Sequence, residues 1–259
     1  MVELAGLTWE DAGEALRNAR LGLVPVGSCE QHGPHLALDT DLAIADALSR
    51  RLANDLGDSA ILYPPVAYGL SEHHMGFPGT VTLRPETFIG VFMDLVDSAA
   101  RWGLRRLLIV NGHGGNIDAL RLVSRIARRD RRVLVASVMW AQLAAEEIAA
   151  RAQSPQYGHA CEIETSVALV LAPDRVFSER IAAPKGRRSA DPLTDPPWAQ
   201  VDQAVAFDEW TEDGALGDPT LAKPELGAEI VEAAYDRALS FAQRFAHRPL
   251  PDGEEASDG

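Results

Sequence analysis

Residues 26–41 read VGSCEQHGPHLALDTD, and the stretch sets Glu30, His32, His35, Asp39 and Asp41 directly behind an apolar run. Glu30 and His32 are two apart, so on extended backbone their side chains share a side. Asp41 stands where the next helix should begin, a place that favours a carboxylate. Carboxylate oxygen and imidazole nitrogen together suit Zn²⁺, Mn²⁺ or Fe²⁺. The competing reading is a solvated turn, since loops rich in acids and histidines are common.

Two further clusters bear on the choice. His113 in VNGHGGN leaves an apolar strand between glycines that allow close approach of a ligand or of other backbone. That loop matches neither phosphate-binding glycine pattern and has no lysine nearby, which disfavours a phosphate cradle. The second cluster, GHACEIETS, carries His159, Glu162 and Glu164. On a helix the two glutamates diverge by about 200°. One of them faces the site, and the other is solvated or supports a ligand from behind. Cys29 turns away from Glu30 on extended backbone and reads as a small core residue. No base is spaced to activate it as a nucleophile.

The elements that must hold these groups follow from periodicity and punctuation. Thr8 and Asp11 predict a helix start, running to about Arg20. LGLVPVG predicts a buried strand, and DLAIADALSRRLANDLG a helix stopped at Gly57. In AILYPPVAYG, Pro64 and Pro65 limit the strand to its first half. Pro85 and Gly103 bracket another helix. RRLLIV and RVLVASV are strands, each followed by a helical pattern, and residues 223–246 form a final helix. Strands alternating with helices predict an α/β fold of three layers, a mostly parallel sheet flanked by helices. Ligands of such folds bind beyond the carboxyl ends of the strands. Residues 27–41, 67–80 and 111–116 all fall there. Residues 175–223, with Trp198 and Trp210, are rich in Pro, Asp and Gly. They read as an extended substructure over the core or as a subunit contact. One domain over 1–248 and a disordered acidic tail over 249–259 are expected.

Composition narrows the function classes. The 259 residues carry a net charge of −14, which disfavours nucleic acid and anionic membranes as partners. The cluster Arg125, Arg128, Arg129, Arg131 and Arg132 is expected to be a solvated helix end. Two cysteines make no disulfide framework. No leader-like segment opens the chain, and no apolar run approaches the ~18 residues of a membrane span. A cytoplasmic protein is expected.

Five segments in order, PVGSCEQHGPHLALDTD, FPGT, VNGHGGN, GHACEIETS and GALGDPTLAKPELG, resemble the creatininase family of metal-dependent amidohydrolases, from about Leu7 to about Phe245. The resemblance implies two divalent metal ions, Zn²⁺ first and Mn²⁺ or Fe²⁺ next, and a homo-oligomer, a hexamer. It implies Glu30 as ligand of one metal, His32 of the other, Asp41 bridging both, and His113 as the histidine of the glycine loop. Creatininase itself has a ligating glutamate where this chain has Gly115. Glu164, or alternatively Glu162, is the expected replacement. His159 matches a position suited to donating a proton to the leaving amine, with Glu164 beside it in the catalytic group. Glu72, His73 and Asn116 are expected to line the substrate pocket, His74 to be a neighbour on the opposite side, and His35 to orient a ligand through a hydrogen bond. The implied activity is hydrolysis of a non-peptide C–N bond, in a cyclic amide or formamide of a small molecule, by metal-activated water. The glycine-rich loop also resembles the formamidopyrimidine deformylases and the mycofactocin-maturation peptidase. The alternatives are therefore a peptidase trimming a modified peptide or, in another class, a non-catalytic binding protein on the same fold.

Overall fold

The computed structural model describes residues 1–186 and 204–251. Trp198 and residues 252–259 of the expected tail lie outside that range. In chain order the elements are β1 (Val2–Glu3), α1 (Trp9–Asn18), β2 (Leu21–Val26), α2 (Thr40–Leu56), β3 (Ala60–Leu62), α3 (Pro85–Arg101), β4 (Arg106–Asn111), α4 (Ile117–Ile126) and β5 (Leu134–Met139). They continue with α5 (Trp140–Leu143), α6 (Ala145–Arg151), α7 (Glu162–Leu171), α8 (Phe207–Trp210) and α9 (Pro224–Ala246).

The sheet runs β1-β3-β2-β4-β5, and every pairing is parallel. Strand residues alternate between two cores. Leu21, Leu23, Leu108 and Val110 pack beneath α2, α7 and α9, among Ile44, Leu52, Val167, Ile230 and Phe245. Val24, Val26, Leu107 and Ile109 pack beneath α3 and α4, among Phe88, Phe92, Val96, Leu120 and Val123. These are the three expected layers.

Local signals set the boundaries. Thr8 accepts a hydrogen bond from Asp11 N at the start of α1, although that helix ends at Asn18, short of Arg20. Pro85 opens α3 and Gly57 caps α2 at φ 58°. The strand that Pro64 and Pro65 interrupt is confined to Ala60–Leu62. The arginine cluster is the solvated end of α4: Arg131 pairs with Asp97, and Arg129 with Asp130, at the surface. Among the described residues no helix is long and apolar enough to cross a membrane.

Candidate metal centre

The carboxyl ends of β2, β3 and β4 converge with the start of α7. β2 delivers Glu30 and His32 on the loop that follows it, and the first turn of α2 returns Asp41. Beyond β3 a short turn, Glu72–His74, supplies two histidines. β4 ends in the loop bearing His113. His159 precedes α7, and Glu164 lies in its first turn. Six of the seven histidines of the chain are gathered here, His247 being the exception.

Two donor groups share Asp41. Its Oδ2 lies 3.1 Å from His113 Nδ1, which is also 3.1 Å from Glu30 Oε1. Its Oδ1 lies 3.2 Å from His32 Nε2, which in turn faces Glu164 Oε1 at 3.8 Å. Ser28 Oγ donates to Asp41 Oδ2 at 2.7 Å. All of these groups are buried. Among the described residues, histidines are the only cationic side chains that pair with Glu30, Asp41 and Glu164. Glu30 Oε2 is buried without a partner. Three carboxylates in so dry a place are costly unless a cation compensates them.

The histidines show how a cation would be received. His32 donates Nδ1–H to the carbonyl of Glu30, and His113 and His159 donate Nε2–H to the carbonyls of Leu70 and Gln31. In each ring the other nitrogen faces the carboxylates, the arrangement usual for metal-binding imidazoles. Glu30, Asp41 and His113 form one group able to hold a metal ion, and His32, Asp41 and Glu164 a second. The donor set of oxygen and imidazole nitrogen fits a borderline divalent cation.

Electrostatics divides the imidazoles into two kinds. Burial works against charge on His32, but Asp41 and Glu164 overcome it and raise its pKa to about 10. His113 is also raised, as Glu30 and Asp41 outweigh burial. Asp41 is held well below the usual range by His32 and His113, against the effect of burial. Burial pushes Glu164 up to about 7, with His32 opposing. His159 goes the other way: burial, then the charge of His32, hold it well below the ordinary histidine value. It remains a neutral ring with a bare Nδ1, 3.9 Å from both Glu30 Oε1 and Glu164 Oε2.

Local backbone chemistry fixes these positions. Ala160 adopts φ 49°, a conformation that costs a non-glycine residue roughly 1–2 kcal/mol. It lets Ala160 N donate to Glu164 Oε2 at 2.6 Å while His159 turns inward. At Gly115 a Cβ would stand 2.3 Å from the Leu70 carbonyl and 2.5 Å from His113 Nε2. A side chain has no room there.

Several sequence expectations need correction. Asn116 is fully buried: its Nδ2 donates to Gly27 O and Asn111 Oδ1 and its Oδ1 accepts from Leu70 N, so it laces loops together and has no free N–H for a substrate. Glu72 is exposed at the rim, while His73 stacks on His113 at 5.6 Å. His74, expected on the far side, is buried in the site with Nε2 3.4 Å from Glu30 Oε1. Glu162 is not solvated: it accepts from Gln153 N, Ser154 N and Ser154 Oγ and anchors that loop. His35 bonds to Thr165 Oγ1 and reaches none of the expected ligands. Cys29 is half-buried with its thiol toward Gly79 O, and so is not a core residue. The segment 204–218 is a roof: Phe207 stacks on His74 at 4.1 Å and meets His159 edge-on at 4.8 Å. Leu216 pairs with His159 through the backbone. Phe207, Ser28 and Gln31 were missed from sequence, although Ser28 and Gln31 both lie in the 26–41 stretch already under suspicion.

The family described as creatininase, creatinine amidohydrolase, matches residues 5–242. The chain belongs to the creatininase family. It is 35% identical over 238 residues to the mycofactocin precursor peptide peptidase of Mycobacterium ulcerans, covering 89% of this chain and 87% of that one. The creatinine amidohydrolase of Pseudomonas putida is 31% identical over 248 residues, with 87% and 90% covered. A manganese form of creatininase superposes with a TM-score of 0.76 at 26% identity, over 94% of this chain and 98% of that one. The protein is thus a creatininase-family hydrolase with residues placed to bind metal.

Proposed function

We propose that this creatininase-family hydrolase cleaves an amide C–N bond with two divalent metal ions. Glu30, Asp41 and His113 hold one ion, and His32, Asp41 and Glu164 the other. The observation that carries the reading is Asp41, whose two carboxylate oxygens face two separate imidazoles, each tethered to a main-chain carbonyl. Bound there, the ions supply an acidified water and polarise the acyl oxygen. Glu30, Asp41 and Glu164 hold negative charge where that cation charge is needed, and Ser28 and Ala160 N orient two of them. His159 Nδ1, bare and facing both carboxylate groups, takes the proton from the attacking water and returns it to the departing amine. Phe207 covers His74 and His159 and limits water at that wall.

The likeness to the mycobacterial peptidase favours an amide at the end of a peptide over a cyclic amide or formamide, reversing the order drawn from the sequence. The likeness to creatinine amidohydrolase keeps the small cyclic amide as a second reading. Retention of Glu30, His32, Asp41 and His113 argues against a non-catalytic binding protein. The test is metal content per chain by elemental analysis, beside hydrolysis of a peptide-amide panel and creatinine. Two equivalents in the native chain, lost in Asp41→Ala with the fold intact by circular dichroism, are expected. Full metal and turnover in Asp41→Ala would overturn the assignment.

A further inference from the structure

His74 is placed like the other site histidines but wired in the opposite sense. Its Nδ1 lies 2.8 Å from Gln31 Nε2. The orientation of the Gln31 amide is fixed independently at both ends. Gly33 N donates to Gln31 Oε1 at 2.9 Å, and Gln31 Nε2 donates to Gly214 O at 3.2 Å. Flipping the amide would set donor against donor at Gly33 and acceptor against acceptor at Gly214. Gly214 itself cannot change, because a Cβ there would stand 1.8 Å from Gln31 Oε1 and its φ is 86°. Gln31 therefore donates to His74 Nδ1, and the proton of the neutral ring sits on Nε2, the atom 3.4 Å from Glu30 Oε1.

We propose that His74 is a positioning residue: Gln31 locks it as an Nε2–H donor that holds the Glu30 carboxylate and keeps the ring out of the metal ligand set. The inference rests on the reading that Glu30 holds a metal. It also decides a competing possibility, since Glu30, His73 and His74 lie close enough together to look like a further metal site. A protonated Nε2 has no lone pair to give a cation. Phe207 on one side, with His73 and His159 around the ring, keeps the imidazole in this plane. The roof segment thus reaches Glu30 through two routes, Gly214 by way of Gln31 and Phe207 by way of His74.

Neutron diffraction from a deuterium-exchanged crystal of the full chain reads the first half directly. Deuterium on His74 Nε2 and none on Nδ1 is expected, and the reverse overturns the proposal. The second half uses Zn²⁺ uptake measured by chelator competition in the native chain, His74→Gln and His74→Leu, with the metal-free fold checked by circular dichroism. A glutamine amide can place an N–H where Nε2–H stood, so His74→Gln should keep near-native affinity. His74→Leu should weaken one of the two equivalents about 10–100-fold, as lost outer partners of metal ligands do. Equal losses in both variants, or a third equivalent in the native chain that His74→Leu removes, would sink the role of His74 alone. A native chain that takes up no Zn²⁺ would instead sink the metal reading, and the positioning role with it.

Discussion

At the scale of single residues, the candidate site should exchange protons for metal. In the metal-free chain His32 and His113 keep their protons at neutral pH, and Glu164, near 7, is partly protonated. Each must release its proton before a cation can use the same atom. Metal uptake at pH 7 should therefore release more than one proton per chain, and affinity should fall as pH falls. Calorimetric titration with Zn²⁺ in buffers of differing ionisation heat measures this; a heat independent of the buffer would contradict it. Glu164 and Gly115 make a linked case. Glu164→Ala should lose one metal equivalent and His113→Ala the other. Adding Gly115→Glu to Glu164→Ala should restore nothing, since the new Cβ meets the Leu70 carbonyl. Elemental analysis of the three variants decides the point. Glu30, His32, Asp41 and His113 were legible as candidates because their types and their place after strands already point to a cation. His74 and Asn116 were misjudged because spacing says nothing about which polar atoms other loops have already claimed.

At the scale of elements, close approach of backbones matters more than side-chain identity. Gly112, at the end of β4, abuts the first turn of α2: a Cβ there would stand 2.1 Å from the Asp41 carbonyl oxygen. Gly114, two residues on, would meet nothing within 4 Å. Gly112→Ala should therefore push α2 off the sheet, costing about 1–3 kcal/mol of stability and displacing Asp41 from both donor groups. Gly114→Ala should leave melting temperature and metal content unchanged. Thermal melts with elemental analysis separate the two, and equal behaviour would refute the close-approach argument. The same contrast explains what the sequence could reveal at this scale. The βαβ alternation, the Pro85 and Gly57 boundaries and the strand cut short at Pro64 each have a local cause, and each was readable. For the roof, a position over the core was one of two readings of 175–223, but its contacts were not legible, because Phe207 and Gly214 act on His74 and Gln31, far away in the chain, and the segment itself has no periodicity to betray them.

At the scale of the whole molecule, the buried carboxylates lie where the sheet and both helical layers meet, so their charge bears on the entire fold. Leu23 and Leu108 on one face, and Val24 and Ile109 on the other, belong to the strands that end in metal-site loops. Glu30 Oε2 has no partner, and among the described residues imidazoles are the only cationic groups facing the three carboxylates, so the metal-free chain depends on retained protons at that junction. A cation that binds the folded state alone stabilises it by RT ln(1 + [L]/Kd), about 2.7 kcal/mol for each ion at a hundredfold excess over Kd. For a chain of this size about 1 kcal/mol moves the melting temperature by roughly 2–4 °C. One bound ion should then raise it by about 5–10 °C, and chelation should reverse the gain. Differential scanning calorimetry with Zn²⁺, with Mn²⁺ and with EDTA measures the difference. The shift should vanish in Asp41→Ala, which removes the carboxylate common to both groups. In Glu164→Ala it should persist in part, because Glu30, Asp41 and His113 remain. A shift of equal size in Asp41→Ala would mean that the stabilising ion binds elsewhere on a surface whose net charge of −14 attracts cations without any built site.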